Sequence, residues 1–233
     1  MPSPLNPPVA QPAPSTPRER RRAQTRDEIL DAALAVMTEQ GVAALNLTEV
    51  ARRVGLRQPS LYQYFDSRTA VYDALFERGM RAHHDLLAAA IGAADTGWPA
   101  ARAAAWASAR FAMDHPALTQ LLFAGAVPGF VPSEQAYAPS LRTYELTRNA
   151  IADAVRHHHL HPAAASECGV ALFVALIAGV SVQQQANDPD AGIEEGRYVA
   201  LLDPALDMYV GYFAPSRPTT WTPWPETGAR TAC

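Results

Sequence analysis

The segment from Leu47 to Phe65, LTEVARRVGLRQPSLYQYF, sets a small residue, a glycine and a leucine at spacings that few backbones satisfy. Counting Leu47 as first, Ala51 falls fifth, Gly55 ninth and Leu61 fifteenth, with Val50, Val54, Leu56 and Tyr64 at the other positions that must face inward. Ala51 lets a second helix pass close, Gly55 supplies the left-handed backbone of a tight turn, and Leu61 anchors the second helix to the first. The spacing therefore predicts two short helices crossing at a glycine turn. Asn46, three residues before Glu49, marks the start of the first of them, because each side chain can satisfy an orphan N–H of the opening turn.

Helical periodicity continues on both sides. Ile29, Leu30, Ala33, Leu34 and Met37 recur on one face and Gly41 follows as a stop, which predicts a helix over roughly 20–40. Asp66 and Ser67 can cap a helix from Arg68 to Ile91. Further helices are expected at about 100–113, 116–125, 133–160, 163–186, 192–202 and 204–213, bounded by Pro116, the loop at 128–132, Pro162 and Asn187-Asp188-Pro189. Asp203-Pro204 reads as a cap followed by proline at the first helical position.

The expected fold is all-α: an N-terminal three-helix helix-turn-helix domain over 18–67 and a larger C-terminal helical domain over 68–214. Residues 1–17 hold seven of the 20 prolines and no charge; they read as a disordered Pro-rich arm without the pattern of a secretory signal. Residues 215–233, with Trp221 and Trp224 among prolines and threonines, read as a loosely ordered tail. The longest apolar run, 169–180, is shorter than the roughly 20 residues that span a bilayer and reads as a buried helix, so a cytoplasmic protein is expected. Two cysteines, Cys168 and Cys233, imply no disulfide framework.

The second helix of the crossing pair opens with Arg57, Gln58, Pro59 and Ser60, then Tyr62 and Gln63. In a helix-turn-helix that half meets base edges in the major groove. Gln pairs bidentately with adenine, Arg with guanine and Ser with either, while the Pro59 ring can press on a thymine methyl. The hydroxyls of Tyr62 and Tyr64 and the cation of Arg68 suit phosphate oxygens. Charge points the same way, since residues 18–68 hold nine arginines against seven acids, a net of +2, in a chain of net charge −4. Arg18, Arg20, Arg21, Arg22 and Arg26 crowd into one short stretch suited to a phosphate backbone.

Residues 20–76 resemble the DNA-binding head of the TetR family of transcriptional regulators. The resemblance is carried by TRDEILDAALAVMTEQG, LTEVARRVGL, QPSLYQYF and SRTAVYDALF. It implies that Gln58, Pro59, Ser60, Tyr62 and Gln63 lie where the family reads bases, and that Thr25, Asn46, Thr48, Tyr64 and Arg68 lie where it holds phosphates. Arg57 stands in place of the usual serine cap, and Arg68 in place of the usual lysine.

The same resemblance implies a body that dimerises and often holds a small molecule. Trp106, Phe111, Phe123, Phe130, Tyr137, Tyr144 and Phe173 could line an apolar pocket. Leu172, Leu176, Gly179, Leu202 and Leu206 could form the homodimer interface, because the helix around 169–182 is apolar nearly all round. Gln183, Gln184 and Gln185 could orient a ligand or face water. His157, His158, His159 and His161 are consecutive or nearly so; on a helix such side chains diverge by about 100° per residue and cannot converge on one ion. No metal and no cofactor is expected, and no nucleophile with a base suggests an enzyme.

The expected function is therefore a repressor that binds a palindromic double-stranded operator as a homodimer and is released by a small-molecule effector, with no membrane partner. The alternatives are a DNA-binding protein without a pocket and a His-dependent metalloenzyme.

Overall fold

The computed structural model describes residues 16–218, 220 and 221, and is all-helical. Helix α1 spans Pro17–Gln40 and starts three residues earlier than expected. Its reason lies in Thr16 and Glu19: the Thr16 hydroxyl accepts from the Glu19 N–H at 3.2 Å, and the Glu19 carboxylate accepts from the Thr16 N–H at 2.7 Å. This reciprocal cap, with Pro17 at the first position, takes Thr16 and Pro17 out of the arm. The remainder of the expected arm, residues 1–15, lies outside the described residues.

Helices α2, Leu47–Arg53, and α3, Gln58–Leu61, form the crossing pair. Asn46 caps α2 by accepting from the Thr48 N–H at 2.9 Å, but Glu49 does not return the bond as expected; Arg52 and Arg53 hold it instead. Gly55 sits at φ +69°, the left-handed conformation the turn demands. Leu61 is fully buried (0% exposed) beside Val50 and Ala51.

Helix α4, Arg68–Ala93, is capped by Ser67 and belongs to both halves of the molecule. Its Val71, Tyr72, Leu75, Phe76 and Met80 complete the core begun by Ile29, Ala33, Val36 and Met37 of α1, so the head does not end at residue 67. The Tyr72 hydroxyl donates to the Val42 carbonyl at 2.6 Å inside that core. Helices α5, Trp98–Asp114, α6, Pro116–Phe123, and α7, Glu134–Arg156, then pack around the remainder of α4. Asp73 fastens the start of α7, accepting from both the N–H and the hydroxyl of Ser133 at 2.7 Å.

Helices α8, Glu167–Asn187, and α9, Leu202–Tyr212, close a second core with α5 and α7. Ala101, Ala105 and Ala109 let α5 approach closely, and Trp98, Phe173, Tyr209 and Phe213 fill the space they leave. Gly169 is required here, since a Cβ would fall 2.3 Å from the Ala164 carbonyl oxygen. Cys168 is disulfide-bonded, where no disulfide framework was expected; Cys233 lies outside the described residues.

Several expectations in the body are corrected. Helix α7 stops at Arg156 rather than 160, because His157, His158 and His159 form a turn whose imidazoles bond to neighbouring groups: His159 accepts from the Trp98 N–H at 3.0 Å. Residues 192–198 are not helical. Gln184, fully buried, accepts from the Tyr198 and Val199 N–H groups, so this glutamine shapes the loop rather than facing water or a ligand. Asp203 is not a cap either; Arg102 and Trp106 of α5 hold its carboxylate. The tail is seated at its start, with Trp221 against His161, Tyr212 and Phe213 and beneath the Arg217 guanidinium. Trp224 lies outside the described residues.

The expected dimer residues divide. Leu202 and Leu206 are buried in the second core and present nothing to a partner. Leu172 and Leu176 are half-buried, and only Gly179 is exposed. The exposed apolar side chains of this face are instead Val174 (45%) and Val182 (47%) on α8, and Met208 (70%) on α9. Starting α9 at Leu202 instead of at Pro204 does not alter helical phase; Leu202 and Leu206 simply occupy the inward stripe, with Tyr209.

His83 stands between α4 and α5, 5% exposed, with Nε2 at 2.9 Å from the Ser108 hydroxyl and no partner for Nδ1 among the described residues. Burial first, and the neighbouring His84 second, push its pKa down from 6.5 to about 4. The folded state thus binds fewer protons than the unfolded chain between those values, and stability must fall as the pH drops. Urea denaturation at a series of pH values should show a midpoint contribution that is constant above 6.5 and lost progressively between 6.5 and about 4. His83→Gln, which cannot titrate, should flatten that part of the profile.

Candidate nucleic-acid interface

Helix α3 is only four residues long, and its two sides differ completely. Leu61 and, just beyond the helix, Phe65 point into the head core, whereas Gln58, Pro59, Tyr62 and Gln63 are exposed; Ser60 and Tyr64 are half-buried. One turn of helix thus presents an amide, a ring, a phenol and a second amide on a single surface. The Thr48 hydroxyl donates to the Gln58 side-chain oxygen at 3.1 Å, which steers one amide of that surface from α2.

Arg57 occupies the cap of α3 with extended backbone (φ −77°, ψ 143°) and makes no side-chain cap bond. A serine there would offer an oxygen to the first amides. Pro59, in the first turn, has no N–H to satisfy, so one of those orphan donors is already absent. The Arg57 guanidinium remains exposed, as does Arg68 at the start of α4. Asn46 is engaged as the cap of α2, and the half-buried Thr25 donates its hydroxyl to the Arg21 carbonyl at 3.0 Å, which leaves its oxygen able to accept.

The arginines do not all serve one purpose. Arg52 and Arg53 are tied into a network with Glu49 and Glu39 that joins α2 to α1, with contacts of 2.6 to 2.8 Å. Hydrogen bonds from Arg52 and then Arg53 pull the Glu49 carboxyl down to about 2. From the basic stretch of α1, Arg22 and Arg26 turn back onto the end of the recognition segment: Arg22 donates to the Gln63 carbonyl and Arg26 to the Tyr64 carbonyl, both at 2.7 Å. Their guanidinium groups also lie over the rings of Tyr64 and Phe65. Sequence reasoning assigned the whole stretch to phosphates and missed this pair. The signal was present, since Arg22 and Arg26 are four apart and continue the core stripe of Ile29, Leu30 and Ala33.

The aromatic residues expected to line a body pocket do not converge. Phe130 and Tyr137 pack on Tyr72 and Phe76 of the head core, Phe111 and Phe123 flank His83, and Trp106, Tyr144 and Phe173 belong to the second core. Two open grooves of about 370 and 440 Å³ lie on α1, lined by Asp31, Leu34 and Thr38 and by Glu28, Asp31 and Arg53, and none of those seven aromatics borders them.

Residues 29–75 match the family model for bacterial regulatory proteins, tetR family. The tetracycline repressor protein class D of Escherichia coli is 35% identical over 60 residues, 26% of this chain and 28% of that one. The class A tetracycline repressor from transposon 1721, also of Escherichia coli, is 27% identical over 188 residues, 78% of this chain and 79% of that one. Among solved structures, regulatory protein SCO4313 matches with a TM-score of 0.68 and 28% identity, covering 84% of this chain and 100% of that chain. The chain thus spans only 28% of the length of the class D repressor it matches. That match is centred on the crossing helices, so residues 29–75 form a head of the tetR-family type, and the body shares its fold with regulatory protein SCO4313.

Proposed function

We propose that this protein is a ligand-responsive transcriptional repressor that grips a near-palindromic operator as a homodimer. The family consists of DNA-binding transcription regulators, not enzymes. The single observation that carries the reading is the outward face of α3, where Gln58, Pro59, Tyr62 and Gln63 stand clear of the surface while Leu61 is sunk in the core. Gln58, Pro59, Ser60, Tyr62 and Gln63 read base edges from the major groove. Thr25, Asn46, Thr48, Tyr64 and Arg68 hold phosphates, and Arg57 reaches a base or a phosphate at the entrance of the groove. The tetracycline repressors matched are repressors by name, which supports the sign of regulation.

The body surface supports a dimer. Helix α8 is long and apolar enough, by length and composition, to cross a membrane, yet only a third of that stretch is buried within one chain. Ala171, Val174, Ala175, Gly179 and Val182 are exposed at helical spacing along α8, and Met208 and Tyr212 are exposed on α9. A second copy covers this face better than lipid does, since α8 ends in three glutamines and an asparagine. Two recognition helices so paired would meet successive major grooves about 34 Å apart. The cytoplasm is where such a regulator works. The effector is a small apolar molecule taken up in the body near buried His83, whose ring packs on Phe111 and Phe123 and whose Nδ1 has no partner among the described residues.

Enrichment of duplexes from a random pool, followed by footprinting, tests the DNA reading; a pool that stays unenriched at low salt defeats it. Gln58→Ala should cost about 1–3 kcal/mol on the enriched sequence and relax preference at one position, whereas Arg68→Ala should weaken all duplexes alike and lower the salt slope by about one unit. In sedimentation, Val174→Asp with Met208→Asp should give a folded monomer. Leu202→Asp should unfold the body instead, by burying a charge without a partner.

A further inference from the structure

We infer that Arg22 and Arg26 are positioning residues for the recognition segment, fixing the direction in which Gln58, Tyr62 and Gln63 face DNA and thereby serving sequence discrimination rather than phosphate attraction. The inference rests on the DNA-binding reading above and gives two members of the basic stretch a different task from the one their charge suggests.

Four residues of helix make a single turn, and a helix this short has no stability of its own. At its end the chain makes its last bonds through Leu61, whose carbonyl accepts from the Tyr64 and Phe65 N–H groups at 2.9 and 3.1 Å. The carbonyls of Gln63 and Tyr64 come after this point and would be orphans. Arg22 and Arg26 take one each, at 2.7 Å. A hydrogen bond from a charged donor is about twice as strong as a neutral one, so this pair does more to hold the segment than any bond within it.

The rings add direction. Arg26 lies 4.2 Å from the centroid of Phe65, itself buried in the head core, and Arg22 lies 5.1 Å from that of Tyr64. A planar guanidinium that both stacks and donates leaves the segment little freedom to roll about its own axis. Such a roll would swing Gln63 and Tyr62 across the groove surface without changing the number of charges near phosphate. The arginines therefore influence which sequence is bound more than how strongly any DNA is attracted. Both are mounted on α1, which Ile29, Ala33 and Val36 bury in the head, so their origin is rigid.

The test compares full-length wild type with Arg22→Gln, Arg26→Gln and Arg26→Lys on two probes, the duplex enriched from a random pool and a scrambled duplex of the same length, over a series of salt concentrations. Arg22 is exposed, so Arg22→Gln keeps the fold, and Arg26→Lys preserves the charge if Arg26→Gln unfolds the head. The expected result is a loss of about tenfold in preference for the enriched duplex with an unchanged salt slope, and no rescue by lysine. Without DNA, hydrogen exchange at the Tyr64 and Phe65 amides should quicken in the same variants. The proposal is overturned if Arg22→Gln weakens both duplexes equally and lowers the salt slope by about one unit, if lysine restores preference, or if neither preference nor exchange changes. If wild type enriches no duplex, the DNA reading fails, and the exchange experiment still decides whether the arginines hold the segment.

Discussion

Helix α4 is buried at its start in the head and along the rest of its length in the body, and the whole arrangement hangs on that continuity. At 26 residues it runs about 39 Å without a break. Tyr72 fastens it to the Val42 carbonyl, Arg78 pairs with Asp31 of α1 at 2.7 Å, and Asp73 holds the first turn of α7. Three anchors on one short stretch of helix leave the head no flexible joint. A displacement of α4 within the body would therefore be passed to α1, whose Arg22 and Arg26 hold the Gln63 and Tyr64 carbonyls just beyond α3. A ligand could shift that equilibrium only by its differential affinity for the two arrangements, but the mechanical path is short and its members are polar contacts of fixed geometry.

The head was legible because its constraints are local. The spacing of Ala51, Gly55 and Leu61 concerns one turn and two short helices, and the left-handed backbone at Gly55 follows from steric limits that need no tertiary knowledge. What escaped reading depends on residues far apart. Gln184 holds the 188–199 loop by bonds to Tyr198 and Val199, so helical periodicity at 192–202 lost to a buried side chain on another helix. Asp203 looks like a cap, yet α5 claims its carboxylate from 101 residues away in sequence. The aromatics gave no hint of their division among two cores and His83, because hydrophobicity says that a residue is buried and not which neighbours bury it.

Charge shows the same limit in another form. A count of arginines in 18–68 treats every cation as available to phosphate. Arg52 and Arg53 are instead clamped by Glu49 and Glu39, and Arg22 and Arg26 by backbone carbonyls. Arg57 and Arg68 stay exposed at the two ends of the recognition segment, apart from the run that first attracts the eye. Along the chain the two cations bracket the polar face of α3.

The apolar character of α8 has the most instructive outcome. Periodicity could not say which side faced inward, because the helix is hydrophobic around its whole circumference; the choice of Leu172 and Leu176 for the interface was made without a side to prefer. In the folded chain the symmetry is broken by size. Val170, Phe173 and Ile177 fill the body, while Ala171, Ala175 and Gly179, small enough for close approach, remain outside with Val174 and Val182 between them. Small residues on an exposed stripe leave shallow grooves flanked by branched ridges, and such a surface is complementary to another helix of the same kind. A two-fold axis through that stripe would let each copy supply both the ridge and the groove, as an isologous contact requires, so a dimer of the proposed kind would build its interface on the same helix that closes the body's core.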